Sequence, residues 1–119
     1  MAFEDRPGFL KATVSGPRDS LDISLAYWQA IADECSQRGR AKVLVVEDLG
    51  DHVGERDMPA LVDRVLAMGF DRIQVAFVVS RLERLAEMEH GEILALERGA
   101  HGRVFANVGP AEHWLRHGL

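Results

Sequence analysis

Cysteine is almost absent from this chain of 119 residues, and the single Cys35 cannot form an internal disulfide. An unpaired cysteine is typical of proteins in reducing compartments. Long apolar runs are also missing, since no stretch approaches the roughly 20 residues that span a bilayer. The first eight residues carry acids early and lack the apolar core of a secretion signal. We therefore expect a cytoplasmic protein with no membrane span.

An excess of basic residues is missing as well. The chain has 14 Lys and Arg against 19 Asp and Glu, which gives a net charge of −5. Nucleic acids and anionic lipid surfaces both need concentrated positive charge, so neither is an expected partner. The apolar content of 47% is ordinary for a globular protein, and the length suits one domain over residues 1–119.

The rest of the chain is organised around Lys42–Leu49. Its apolar run, Val43 to Val46, is short, rich in valine and bounded by charges, which indicates a strand covered on both faces. Further strands are predicted at Phe9–Ser15, Ile73–Val79 and Arg103–Ala106, with a charged lead-in before the first. A loop at the carboxyl end of a central strand is where open α/β sheets usually bind ligands or partners.

Four helices alternate with these strands. The first begins near Asp19 or Ser20 and ends at Gly39, and the second covers about Asp57–Met68. A capping box, Ser80 to Glu83, opens the third, and Pro110 opens the last. The apolar side of the third helix is predicted to comprise Leu82, Leu85, Ala86, Ile93 and Leu96. We expect an α/β fold: a mixed, mainly parallel sheet of about four strands flanked by about four helices, with the first strand antiparallel at or near an edge.

This arrangement resembles the STAS domain, the fold of bacterial anti-sigma factor antagonists. The chain is most similar to the SpoIIAA-like branch of small bacterial proteins, whose fold is related to the lipid-carrying CRAL-TRIO domain. The resemblance rests on FLKATVSG (Phe9–Gly16), YWQAIADECSQRG (Tyr27–Gly39), KVLVVEDL (Lys42–Leu49) and VFANVGPAEHWL (Val104–Leu115). It implies a regulatory or binding role and no catalysis.

In the antagonists a kinase phosphorylates a serine at the start of the helix after the central strand. The matching stretch here runs from Gly54 to Pro59, and the whole span from Lys42 to Phe70 has no serine or threonine. Regulation by phosphorylation at this position, as in the antagonists, is therefore not expected in this chain. Glu55 or Asp57 places a fixed negative charge near the helix N-terminus, either as a cap or as a mimic of the phosphorylated state.

Two kinds of partner follow from this interpretation. The first is another protein or a second copy of the chain, bound by the strand-end loop and the second helix through Asp48, Asp51, His52, Glu55, Asp57 and Met58. The alternative is a small apolar, lipid-like ligand in a pocket lined by Tyr27 and Trp114.

No residues indicate an enzyme, a cofactor or a metal. His113 and His117 are four apart on the last helix, a spacing that can bind a metal, but no third ligand is evident. The acids after the central strand, beginning with Glu47, favour a solvated loop over a cation site. Cys35 lies on the buried side of the first helix, where a thiol is inert.

Overall fold

The computed structural model describes residues 1–50 and 56–118. Five strands form one sheet in chain order: β1 (Ala2–Arg6), β2 (Phe9–Gly16), β3 (Lys42–Leu49), β4 (Gln74–Val79) and β5 (Gly102–Phe105). β1 and β2 are antiparallel, and the other neighbours are parallel. The predicted α/β class and mainly parallel sheet are confirmed, with five strands instead of about four.

The additional strand is β1, which occupies the segment predicted to be a charged lead-in. Pro7 and Gly8 turn the chain back so that Arg6 pairs with Phe9, and the positive φ of Gly8, 88°, suits this tight turn. Acidic and basic side chains make an edge strand a poor template for other chains. Because of these charged residues, the segment lacks the apolar pattern by which a strand is predicted from sequence. The strand at Phe9 consequently lies one position in from the edge.

Four α-helices connect or follow the strands: α1 (Leu21–Arg38), α2 (Met58–Val65), α3 (Leu85–Glu97) and α4 (Val108–His117). The Ser20 hydroxyl accepts a hydrogen bond from the Ile23 N–H at 3.2 Å, and Gly39, with φ 64°, ends α1 as predicted. α2 continues into a π-helical turn, Leu66–Phe70, and a 3₁₀ turn, Leu82–Arg84, precedes α3. In the described part of the chain, no helix combines the length and apolarity that a membrane crossing requires.

The sheet separates two apolar layers. α1, α2 and α3 cover one face, which β3 meets with Val43 and Val45. α4 covers the other, which β3 meets with Leu44. All three β3 side chains are fully buried, so the prediction of a central strand covered on both faces is confirmed.

The predicted apolar side of α3 is wrong. Leu82, Ile93 and Leu96 are 71%, 54% and 55% exposed. The side that packs on the protein instead carries Arg84, Met88, Gly91 and Ala95. Two physical reasons account for this choice: the buried Arg84 faces inward, and the small Gly91 lets the helix approach Met58 closely. The capping box does not form either, since Ser80 is exposed and Arg81 precedes the 3₁₀ turn without a side-chain cap.

Gly50 generates a prediction about stability. Its N–H donates to the Gly16 carbonyl at 3.2 Å, and a Cβ at this position would overlap the backbone carbonyl of Pro17. Because backbone cannot move aside cheaply, Gly50→Ala should lower the free energy of unfolding by about 2 kcal/mol or more. Urea unfolding measures the change. The matched variant Gly109→Ala, which adds its methyl group in open space, should leave stability unchanged or higher, and equal effects of the two variants would contradict the argument.

Candidate functional site

The structure places only part of the predicted partner-binding loop. Asp51, His52 and Glu55 lie outside the described residues. Asp48 is exposed at the end of β3, and its Oδ1 accepts a hydrogen bond from Arg81 Nε at 2.9 Å. Asp57 occupies the N-cap position of α2, but its side chain makes no capping hydrogen bond. Asp48 and Asp57 are therefore the two acidic members of the predicted set whose positions are known.

Met58 does not lie on the surface, so its predicted role as a partner contact is corrected. It is only 3% exposed and packs with Leu25, Leu61 and Val62 between the helices. The reason is its position as the first residue of α2, where its side chain turns toward α1 and α3 instead of solvent. Met58 belongs to the apolar interior.

Glu47 also departs from the expected solvated loop, because its side chain is fully buried. Side chains alternate along a strand, so Glu47 shares the face of Val43 and Val45, under α1 and α3. One oxygen, Oε1, accepts hydrogen bonds from the Leu49 N–H at 3.1 Å and from Arg84 Nη1 at 2.5 Å. The acid that ends the central strand is thus part of a buried ion pair.

Arg84 joins three separate segments of the chain through this buried cluster. Its Nη2 donates to Asp19 Oδ2 at 2.9 Å and lies 3.5 Å from Glu87 Oε2. Asp19 in turn accepts from the Ser20 N–H at 2.8 Å and from the Ser24 hydroxyl at 2.7 Å. The start of α1, the end of β3 and the start of α3 are therefore held together by one guanidinium. Removing one member of such a buried pair typically costs about 3–5 kcal/mol.

Three carboxyl groups face one guanidinium in this cluster, and the imbalance affects their ionisation. The pKa of Glu47 is raised to about 7, chiefly by burial and also by Asp19 and Glu87, although Arg84 and the Leu49 N–H act in the opposite direction. Burial also raises the pKa of Tyr27, with Asp19 and Glu47 acting in the same direction. Within the described residues, Glu47 Oε2 and Arg84 Nε have no hydrogen-bond partner. The three carboxyl groups therefore compete for one cation, and burial makes Glu47 easier to protonate than an exposed glutamate.

An apolar cavity of about 130 Å³ lies beside this cluster, between the α1–α3 layer and strands β4 and β5. Its lining is aromatic, aliphatic and thioether side chains for the most part: Trp28, Met58, Leu61, Val62, Val65, Leu66, Phe70, Val75, Phe77, Met88, Ala95 and Val104. The cavity is bounded on its buried side by Ser24 and Tyr27, which are 1% and 5% exposed. The arrangement can accept an apolar group.

The opposite side of the cavity is formed by α3 and β5, where the lining residues are half-buried or exposed. Gly91, Glu92 and Gly102 are half-buried there, and His101 is exposed. The Glu92 carboxylate accepts a hydrogen bond from the backbone N–H of Val104, which ties α3 to β5. This side of the lining is the more accessible to solvent.

The two aromatic residues predicted to line a ligand pocket lie on opposite faces of the sheet. Tyr27 lines the cavity. Trp114 belongs to α4 on the other face, where its ring lies 5.8 Å from that of Phe105. The structure therefore does not bring them together, and Trp28 stands beside Tyr27 instead, with ring centroids 5.5 Å apart.

The remaining candidates lie outside the cavity. His113 and His117 are exposed on α4 with ring centroids 4.7 Å apart, and residues 1–50 and 56–118 contain no group of three side chains placed to bind a metal ion. Cys35 is buried as predicted, and burial raises the pKa of its thiol to about 11. Neither feature adds a reactive group to the site.

The fold and the site together define a small α/β domain with an apolar cavity next to a buried ion cluster. Comparison with family models, curated proteins and solved structures finds no match for this chain.

Sequence reasoning missed Arg84 and named only Tyr27 among the residues that line the cavity. One signal was present for the cluster: an acid two residues after Val45 falls on the buried face of a strand, and a buried acid needs a cationic partner. The cavity has no comparable signal, because Leu61, Phe70 and Phe77 show the same pattern whether the space between them is filled or empty.

Glu47 generates a prediction about pH. Its folded pKa of about 7 lies above the model-peptide value of 4.5, so the folded state binds the extra proton and stability falls as pH rises between these values. The loss should amount to about 3 kcal/mol at most. Glu47→Gln removes this titration, so its unfolding free energy should change less from pH 5 to pH 8, as measured by urea unfolding at several pH values.

Glu89→Gln, an exposed change on α3, is the control and should follow the wild-type pH profile. Parallel profiles for the wild type and Glu47→Gln would show that Glu47 does not titrate in this range.

Proposed function

We propose that this chain is a non-catalytic binding protein for a small apolar molecule, or for the apolar end of a larger one. The observation that carries the proposal is the apolar cavity between α1, α2, α3 and the sheet. Its volume of about 130 Å³ approaches that of an engineered apolar cavity of about 150 Å³ that binds benzene. A single ring or a short chain has the right size.

The character of the lining supports the same proposal. Close packing leaves few voids larger than a water molecule in protein interiors, so a space of this size is uncommon. Water is a poor occupant where side chains such as Leu61, Val62 and Phe77 offer no hydrogen bonds. Met58 and Met88 have flexible side chains that adapt to the shape of a ligand. A cytoplasmic setting is part of the proposal, since Cys35 is an unpaired buried thiol.

Two single-tryptophan variants test this function, because Trp28 lines the cavity and Trp114 lies on the other face of the sheet. Bromobenzene, whose heavy atom quenches nearby indoles, is titrated into Trp114→Phe and Trp28→Phe. We expect saturable quenching when Trp28 is the fluorophore, and only weak, linear quenching when it is Trp114. Equal linear quenching of both would contradict the proposal.

Filling the cavity provides the matched control. Ala95→Phe places a ring in the cavity from α3, whereas Ala86→Phe adds the same ring to the exposed side of the same helix. In the Trp114→Phe background, the first change should abolish saturable quenching and the second should preserve it. Ala95→Leu is the smaller alternative if the phenylalanine overpacks the interior.

A second candidate function is supported by the exposed side of α3. Leu82, Ile93 and Leu96 are more than half exposed and lie among the exposed acids Glu83, Glu89 and Glu97. Apolar groups rimmed by like charges are typical of sites that bind proteins. This supports a regulatory protein-interaction role, as the resemblance to anti-sigma factor antagonists implies, with a partner that presents apolar side chains surrounded by basic ones.

This second function predicts the effect of removing the exposed apolar groups. Ile93→Ser with Leu96→Ser should weaken capture of a partner by at least about tenfold, because each buried apolar side chain contributes about 1.5–3 kcal/mol. Stability should change little, since both side chains face solvent. Pull-down from cell extract with wild-type and variant protein measures the change, and Ser36→Ala, an exposed substitution on α1, is the control. Unchanged capture would rule out this surface.

A further inference from the structure

Glu92 is the one acid among the described residues that line the cavity. It lies on α3 and is half-buried. Its Oε2 accepts a hydrogen bond from the backbone N–H of Val104, which lines the same cavity from β5. This contact places the carboxylate between α3 and β5, on the side of the cavity that is the more accessible to solvent.

The pairing of β5 with β4 shows where the carboxylate lies relative to the sheet. The Val75 N–H donates to the His101 carbonyl at 2.9 Å, and alternate residues of a parallel strand bond to the same neighbour. Val104 therefore directs its N–H away from β4, to the outer edge of the sheet. Because Glu92 accepts from that N–H, its carboxylate lies at the margin of the cavity, where a bound charged group keeps part of its hydration.

No cation balances the Glu92 carboxylate within the described residues. Its contact there is the Val104 N–H on Oε2, which leaves Oε1 without a partner in that part of the chain. Arg103 also lines the cavity, but its guanidinium lies 5.4 Å from the ring centroid of Phe105, which packs with α4 on the opposite face of the sheet. The side chain of His101 is exposed. A carboxylate without a cationic partner thus stands beside an apolar space.

We propose that the ligand is a small amine, whose ammonium group pairs with the Glu92 carboxylate while its apolar end occupies the cavity. This inference rests on the proposed binding function and specifies the chemical class of the ligand. An ammonium group brings three donors and the complementary charge. A neutral molecule of the same shape lacks that charge, and an anion of the same size is repelled by Glu92.

The test compares benzylamine, benzyl alcohol and phenylacetate, which present an ammonium, a hydroxyl and a carboxylate group beside the same ring. Their dissociation constants are measured by NMR titration at low salt with the wild type and with Glu92→Gln. The wild type should bind benzylamine most tightly and phenylacetate most weakly. Glu92→Gln should weaken benzylamine binding roughly three- to tenfold, the factor expected for a half-buried ion pair, and should change benzyl alcohol binding less than about twofold.

The amide oxygen of the glutamine still accepts from the Val104 N–H, so the variant removes the charge and keeps the contact between α3 and β5. Glu89→Gln is the matched control, because it removes the same charge from an exposed position of α3 outside the cavity lining. It should leave all three dissociation constants unchanged. Sodium chloride provides an independent measurement on the wild type: it should weaken benzylamine binding by screening the ion pair, and should leave benzyl alcohol binding unchanged.

The outcomes separate this inference from the function on which it rests. If benzyl alcohol and benzylamine bind and Glu92→Gln leaves the ratio of their affinities unchanged, the assignment to Glu92 is wrong and the binding function stands. Tighter binding of phenylacetate than of benzylamine by the wild type would overturn the amine class. Loss of benzyl alcohol binding in Glu92→Gln would show that Glu92 shapes the cavity instead of pairing with the ligand. If none of the three compounds binds the wild type, the function and the inference are both wrong.

Discussion

The buried guanidinium of Arg84 is the group on which the rest of this structure depends. It pairs with Asp19 before α1 and with Glu47 at the end of β3, so it joins segments that are far apart in the chain. The same helix that begins beside it carries Gly91 and Ala95 along the cavity wall. The distance between that wall and the sheet is therefore set by an ionic contact at one end of the helix, and by the small residues along it.

Most of the fold could be predicted from local patterns. The valine-rich run of β3 and the glycine stop of α1 each depend on a few neighbouring residues, and the structure confirms them. β1 could not be predicted, because an edge strand needs little apolar surface and its charged residues are equally typical of a loop. The predicted orientation of α3 was wrong for another reason. Ile93 and Leu96 suggested a buried side, but the helix is oriented by Arg84, which pairs with the distant carboxylate of Glu47.

The candidate site was less accessible to sequence reasoning, because it depends on contacts between distant segments. Tyr27 was named as a pocket residue on its chemical type alone, and Phe70 and Phe77, which line the same cavity, come from elements 40 or more residues away. Trp114 has the same chemical type and lies on the other face of the sheet. Periodicity specifies which side of a helix is apolar, but whether two such sides leave space between them depends on side-chain volumes summed over several elements.

The hairpin formed by β1 and β2 affects how the sheet ends. Without β1, the parallel strand β2 would present an open row of backbone amides and carbonyls along a mostly apolar segment. With it, the outermost row belongs to a strand bearing Glu4, Asp5 and Arg6, and Arg38 and Arg40 reach across from α1 and its C-terminal loop to Asp5. This edge of the sheet therefore carries charges of both signs, which disfavours pairing with strands of neighbouring molecules in a crowded cell.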